Sequence, residues 1–193
     1  MMFLTDFADP AVVLPLAIVA SLMLALTGWR RGALLWIIAV VVTLGTMAVL
    51  KLAFFACGPV DLVHSPSGHT ASAAIIYGGL AALIARRSGA GLIPSFLPAP
   101  LAAIVIGFSR LALDVHTLPE VLIGAVVGCV GALAMLLAAG HPPKWLRLPR
   151  LIGPSIVVIF TMHGYHLHAE VMLHTLAVRY AWLAPFCTAH GHF

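Results

Sequence analysis

Residues 65–87 read SPSGHTASAAIIYGGLAALIARR, with small and polar residues at the start, an unbroken apolar middle and two arginines at the end. The apolar part, about 69–85, is close to the ~20 residues that cross a bilayer's hydrocarbon core as a helix. Its flanks give it a direction. Arg86 and Arg87 mark a cytoplasmic end under the positive-inside rule, so Ser65 to His69 emerge on the opposite face. A plain membrane anchor has little use for a proline, a glycine, two serines and a histidine at that mouth.

Composition extends this reading to the whole chain. Its 193 residues are 62% hydrophobic and 8% charged, with a mean hydropathy of +1.11. A soluble domain of this length could not hide so much apolar surface, so the bilayer is the expected solvent. Other apolar runs lie at 10–27, 33–57, 92–108 and 119–139, and a weaker one at 151–162. The expectation is an all-α, polytopic bundle of about six membrane helices. Residues 1–163 would form it, with a histidine-rich segment, 164–193, at the outer interface. The opening MMFLTDFADP has no basic residue before the first apolar run and does not read as a cleavable signal.

The formal charge of +4 is a topology signal and not a nucleic-acid footprint. Arg30 and Arg31, Arg86 and Arg87, and Lys144, Arg147 and Arg150 fall in alternate loops. All six acids (Asp6, Asp9, Asp61, Asp114, Glu120, Glu170) fall on the other side. Threaded accordingly, the loops 58–68 and 109–118 share the outer face. That face gathers Lys51, Ser67, Gly68 and His69, then Arg110, His116 and Glu120. Each has a use toward phosphate. A helix N-terminus with a glycine offers unpaired N–H groups to an oxyanion. Arginine binds two oxygens as a fork and lysine supplies a point charge. One histidine can attack phosphorus while another protonates the leaving oxygen. Glu120, four residues after His116, can fix its tautomer.

These residues resemble the PAP2 (type 2 phosphatidic acid phosphatase) superfamily, whose site architecture is shared with bacterial acid phosphatases and vanadium haloperoxidases. The second family motif, P-S-G-H, stands intact as Pro66 to His69. The third, S-R-x5-H-x3-D, reads Ser109-Arg110, then His116, then Glu120 in place of aspartate. The first, K-x6-R-P, reads Lys51, then Gly58-Pro59, so glycine replaces arginine. The likeness covers roughly residues 51–128. It implies that His116 is a nucleophile forming phosphohistidine, that His69 is the acid for the leaving alcohol, and that Glu120 orients His116. Lys51, Ser67, Gly68 and Arg110 would hold phosphate oxygens, with no metal and no cofactor. The implied partner is a lipid phosphate or diphosphate, such as undecaprenyl diphosphate or phosphatidic acid, met at the periplasmic or exterior face of a bacterial inner or plasma membrane. Two rivals stay open: a non-catalytic lipid-phosphate binder or carrier of the same fold, and a lipid phosphotransferase. His64 and Arg179 are candidates to replace the cation lost at Gly58, with Arg179 preferred. Lipid entry is expected between the second and fifth helices.

The chain carries ten histidines in all. His163, His166, His168 and His174 cluster, yet no cysteine or carboxylate spacing completes a metal set, and polar interface residues are the favoured reading. Cys129 reads as a small core residue. Cys57 and Cys187 could both face an oxidising compartment, and spacing alone does not decide whether they pair. Oligomeric state is not legible.

Overall fold

The computed structural model describes residues 1–57, 63–167 and 169–180. The elements are α1 (Met2–Asp6), α2 (Pro10–Leu26), α3 (Arg30–Cys57), α4 (Gly68–Ala73), a π-helical turn (Ala74–Gly78), α5 (Gly79–Arg87), α6 (Leu92–Phe96), α7 (Pro98–Ala112), α8 (Leu118–Ala139), α9 (Leu148–Met162) and α10 (Ala169–Tyr180). Among the described residues five helical spans are long and apolar enough to cross a membrane: Met2–Leu26, Arg30–Cys57, Gly68–Arg87, Leu92–Ala112 and Leu118–Ala139. The chain is a helical membrane protein. The sixth apolar helix, α9, has 15 residues; at ~1.5 Å per residue it is shorter than the ~30 Å hydrocarbon core.

The elements depart from the sequence pattern where proline acts. The fourth apolar run is split into α6 and α7 around Leu97, with Pro98 in the first turn of α7, because proline cannot donate into a preceding turn. Pro10 likewise opens α2, and the Asp9 carboxylate caps it by accepting the Ala11 N–H at 2.8 Å. The short α1 ahead of it breaks no apolar pattern and was not expected. The second long helix starts at Arg30, a turn's worth before the apolar run, because Arg30 and Arg31 can belong to a helix that ends in the headgroups.

The span Gly68–Arg87 is the axis of the bundle. Its window is 67% buried, against 28–39% for the other four spans. Ile75, Ile76 and Leu83 are fully enclosed there, among Leu16 and Leu24 of α2, Trp36 of α3 and Met135 and Leu136 of α8. The Trp36 indole donates to the Ala17 carbonyl at 2.9 Å, so its one polar atom is satisfied and α3 is pinned to α2. Outward faces carry exposed Val41, Val42, Val49, Ile104, Phe108, Val126 and Val130, a surface suited to lipid tails.

Close backbone approach sets the register between this axis and α8. A Cβ at Gly124 would run into the Ser67 carbonyl, and one at Gly128 would stand 2.6 Å from the Ala71 carbonyl oxygen. These two glycines, one turn apart, let α8 lie directly on the start of α4, as small residues do between membrane helices.

Candidate functional site

The two outer segments meet through Glu120. Thr117 caps α8 and Glu120 occupies the third helical position, so its carboxylate returns to the Thr117 N–H at 3.0 Å and closes a capping box. The same Oε2 receives His116 Nδ1 at 2.8 Å. Oε1 accepts the backbone N–H groups of His64 at 2.7 Å and Ser65 at 2.9 Å. The Glu120 carbonyl accepts the Ser67 N–H at 3.0 Å. One side chain, 4% exposed, therefore orients a histidine and ties the polar mouth of α4 to the first turn of α8. Four donors satisfy both oxygens, which makes this burial of a carboxylate tolerable.

His116 Nδ1 donates to Glu120, which leaves Nε2 without the proton and with its lone pair available. Its side chain is 4% exposed. Burial pushes its pKa below the ordinary histidine value; the Glu120 hydrogen bond opposes this, and the charges of Arg110 and Lys51 reinforce it. The chain reaches this position by a turn in which Asp114 adopts a left-handed φ of 53°, a conformation aspartate tolerates better than most residues. Asp114 is exposed there, as a loop acid should be.

Lys51, Gly68, His69 and Arg110 line one cavity of about 760 Å³. Lys51 is buried on α3 and donates to Ser65 Oγ at 2.8 Å; its Nζ also lies 5.8 Å from the centre of the Phe55 ring. His69, in the first turn of α4, interacts electrostatically with Arg110, Asp9 and His116. Arg110 Nε is buried and has no hydrogen-bond partner among the described residues, a donor ready for an incoming acceptor. Ser67 is wholly buried, and its Oγ accepts from Thr70 Oγ1 at 3.0 Å. Ser109 serves packing. Its hydroxyl donates to the Ile106 carbonyl at 2.7 Å and so accepts from Thr5 of α1 at 2.9 Å.

Several participants were not found from the sequence. Glu170 of α10 places Oε1 3.2 Å from Lys51 Nζ. Burial pushes its carboxyl pKa up, but Lys51, with smaller help from His116 and His69, holds it below the usual range. Asp9 also lines the cavity, and its Oδ1 accepts the Leu167 N–H at 3.0 Å. Neither acid sits in a recognisable spacing; the docking of α10 against α3 brings Glu170 in, and Asp9 arrives as the cap of α2. Of the candidates to replace the missing cation, Arg179 is exposed and does not line the cavity. The His64 side chain is 72% exposed, with Nδ1 4.0 Å from Glu120 Oε1. Gly58, His168 and Cys187 lie outside the described residues.

Two of the clustered histidines, His163 and His166, take partners near the N-terminus. The His163 ring stacks against Phe3 and Phe7, with centroids 4.6 and 4.4 Å away. His166 Nδ1 lies 3.5 Å from Asp9 Oδ2 and 3.9 Å from Asp6 Oδ1.

A buried carboxylate–histidine pair and a lysine and an arginine on one cavity wall are set in a helical membrane bundle, an arrangement chemically suited to an oxyanion. Residues 56–141 match the model of the PAP2 superfamily, and this central segment belongs to that superfamily. The matched stretch contains the P-S-G-H and S-R-x5-H elements and begins five residues after Lys51. Membership points to phosphatase-type chemistry on phosphorylated substrates. Among curated proteins and solved structures, none matches the chain.

Proposed function

We propose that the protein is an integral membrane lipid phosphatase, acting at the non-cytoplasmic face through a phosphohistidine on His116. The observation that carries this reading is the 2.8 Å contact of His116 Nδ1 with Glu120. It leaves Nε2 as the nucleophilic atom, on a ring that feels the charges of Arg110 and Lys51. Nε2 attacks phosphorus, the P–O bond to the lipid breaks, and His69 gives its proton to the leaving oxygen. Water then attacks the phosphohistidine. His69 takes a proton from that water, Nε2 departs with the N–P bonding pair, and inorganic phosphate is released with both rings restored. Lys51, Arg110 and the Gly68 N–H stabilise the equatorial oxygens as charge develops on them.

The cavity supports a lipid as the carrier of the phosphate. One side of its wall is apolar: Val13 and Leu14 of α2, Leu44 and Met47 of α3, and Leu173 and Leu176 of α10. No residue of α8 lines it, so it favours an approach between α2 and α3 over the expected one between the second and fifth long helices.

The test is phosphate release from phosphatidic acid, undecaprenyl diphosphate and other lipid phosphates in detergent with chelator, comparing wild type with His116→Ala. Release by wild type and none by the variant is expected. Equal release by both removes His116 as nucleophile. Lipid binding without release by wild type would make the protein a binder, and transfer of label to an acceptor lipid instead of water would make it a phosphotransferase. Gly58→Arg restores the motif cation and should accelerate release.

A further inference from the structure

We propose that Glu170 is a built-in competitor of the substrate phosphate: its carboxylate holds Lys51 in the empty site, and α10 must release Lys51 before the phosphate can bind. This rests on the reading of the cradle as a phosphate site. The geometry is that of a stand-in anion. Glu170 Oε1 lies 3.2 Å from Lys51 Nζ, and both residues line the cavity that His69 and Arg110 line. A carboxylate and a phosphate present the same acceptor oxygens to an ammonium, so both cannot take this cation fully at once.

The helix that carries Glu170 is placed to yield. The Lys51 side chain is 8% exposed and fixed from α3, while the Glu170 side chain is 48% exposed. The surface of α10 is mostly open: Val171, Met172 and Leu176 are exposed large apolar residues. Its approach runs through a turn at Gly164, φ 88°. The anchors of that approach are contacts to one short region. Asp9 accepts the Leu167 N–H, His166 faces Asp6 and Asp9, and His163 stacks on Phe3 and Phe7. The fixed half of the ion pair thus belongs to the bundle and the displaceable half to the C-terminal helix. With glycine at position 58 the cradle has one cation fewer than the family motif, so neutralising Lys51 matters more.

Glu170→Gln and Glu170→Asp in the full chain test this. Glutamine keeps the shape and removes the charge; aspartate keeps the charge on a shorter arm. Two readouts are needed: KM and kcat for phosphatidic acid in mixed micelles, and calorimetric affinity for inorganic phosphate. Glu170→Gln is expected to bind phosphate about tenfold more tightly and to lower KM by a similar factor without lowering kcat. Glu170→Asp should fall between it and wild type. Unchanged KM and phosphate affinity, or a raised KM with a lowered kcat, overturns the proposal; the second result would make Glu170 a positioning residue for Lys51. If no protein hydrolyses lipid phosphate but Glu170→Gln still binds phosphate more tightly, the hydrolase reading fails and the competitor stands. If neither protein binds phosphate, both fall.

Discussion

Replacing Glu120 by glutamine changes one atom and leaves the volume, yet each of the two carboxylate oxygens accepts two hydrogen bonds. Oε1 accepts from His64 N and Ser65 N; Oε2 accepts from His116 Nδ1 and Thr117 N. An amide keeps one acceptor oxygen and turns the other end into a donor. If the NH2 group faces His116, it meets Nδ1–H and the Thr117 N–H. The ring can respond only by moving its proton to Nε2, and the nucleophilic lone pair is lost. If the NH2 group faces the loop, the His64 and Ser65 N–H groups are stranded and the mouth of α4 loosens. The first case strands one donor and the second strands two, at about 1.5–3 kcal/mol each, so destabilisation of ~1.5–6 kcal/mol is expected. The kcat should fall by a factor of order 10²–10⁴, the range associated with misplacing a catalytic tautomer. The assays are phosphate release at saturating lipid phosphate and thermal unfolding in the same detergent. Glu120→Asp separates charge from reach: it keeps two acceptor oxygens but retracts them, and should lose less in kcat than glutamine. A Glu120→Gln protein with wild-type kcat and unchanged Tm would refute the argument that this carboxylate orients His116.

Three further outcomes follow from the geometry. Gly124→Ala puts a methyl against the Ser67 carbonyl; overpacking of that kind costs ~1–3 kcal/mol, so Tm should drop and KM should rise as Ser67 and Gly68 shift, both measurable on one purified variant. The depressed His116 pKa means that the unfolded chain binds a proton more readily than the folded one as pH falls from the ordinary value of ~6.5. Its contribution to stability is therefore complete above that pH and is lost as pH falls through the folded value, and His116→Asn should flatten the acid side of a Tm–pH curve. Ala48→Phe narrows the cavity on the α3 side; it should raise KM several-fold for a long-chain lipid phosphate and leave a short soluble phosphomonoester unaffected, and equal effects on both would argue against a tail in this cavity.

The fold was legible because bilayer thickness leaves few options. Long apolar runs punctuated by Arg30–Arg31, Arg86–Arg87 and the 144–150 basics fix which segments cross and which loops share a face. The meeting of the 64–69 mouth with His116 and Glu120 follows from that topology. The capping box was equally local, since Thr117 and Glu120 stand at the required spacing. What the sequence hid were the tertiary contacts without a period: α1, which holds Ser109 through Thr5, and the 163–170 approach, which carries Glu170 to Lys51. The break between α6 and α7 was ambiguous for another reason. Three prolines within seven residues, Pro94, Pro98 and Pro100, are each compatible with a first turn.

The presence of Glu170 also answers an energetic question that the cradle raises. A buried lysine and a half-buried arginine that line one cavity repel each other, and each has surrendered part of its hydration. Lys51 feels Arg110 as a destabilising neighbour, and Glu170 as its main electrostatic relief. A site with two cations and no resident anion would spend its binding energy on its own assembly. A carboxylate fixed rigidly within the bundle would solve that problem and then exclude the substrate. Carrying the carboxylate on a half-exposed helix meets both demands, because the counter-charge is present when the phosphate is absent and can leave when it arrives. The same logic explains why Arg110 Nε can remain without a partner while Lys51 is satisfied. Glu170 and Asp9 offset the Arg110 charge at longer range, while Glu170 reaches ion-pair distance only of Lys51 among the described residues; on the proposed reading, an approaching phosphate would meet Arg110 first and then displace Glu170 from Lys51.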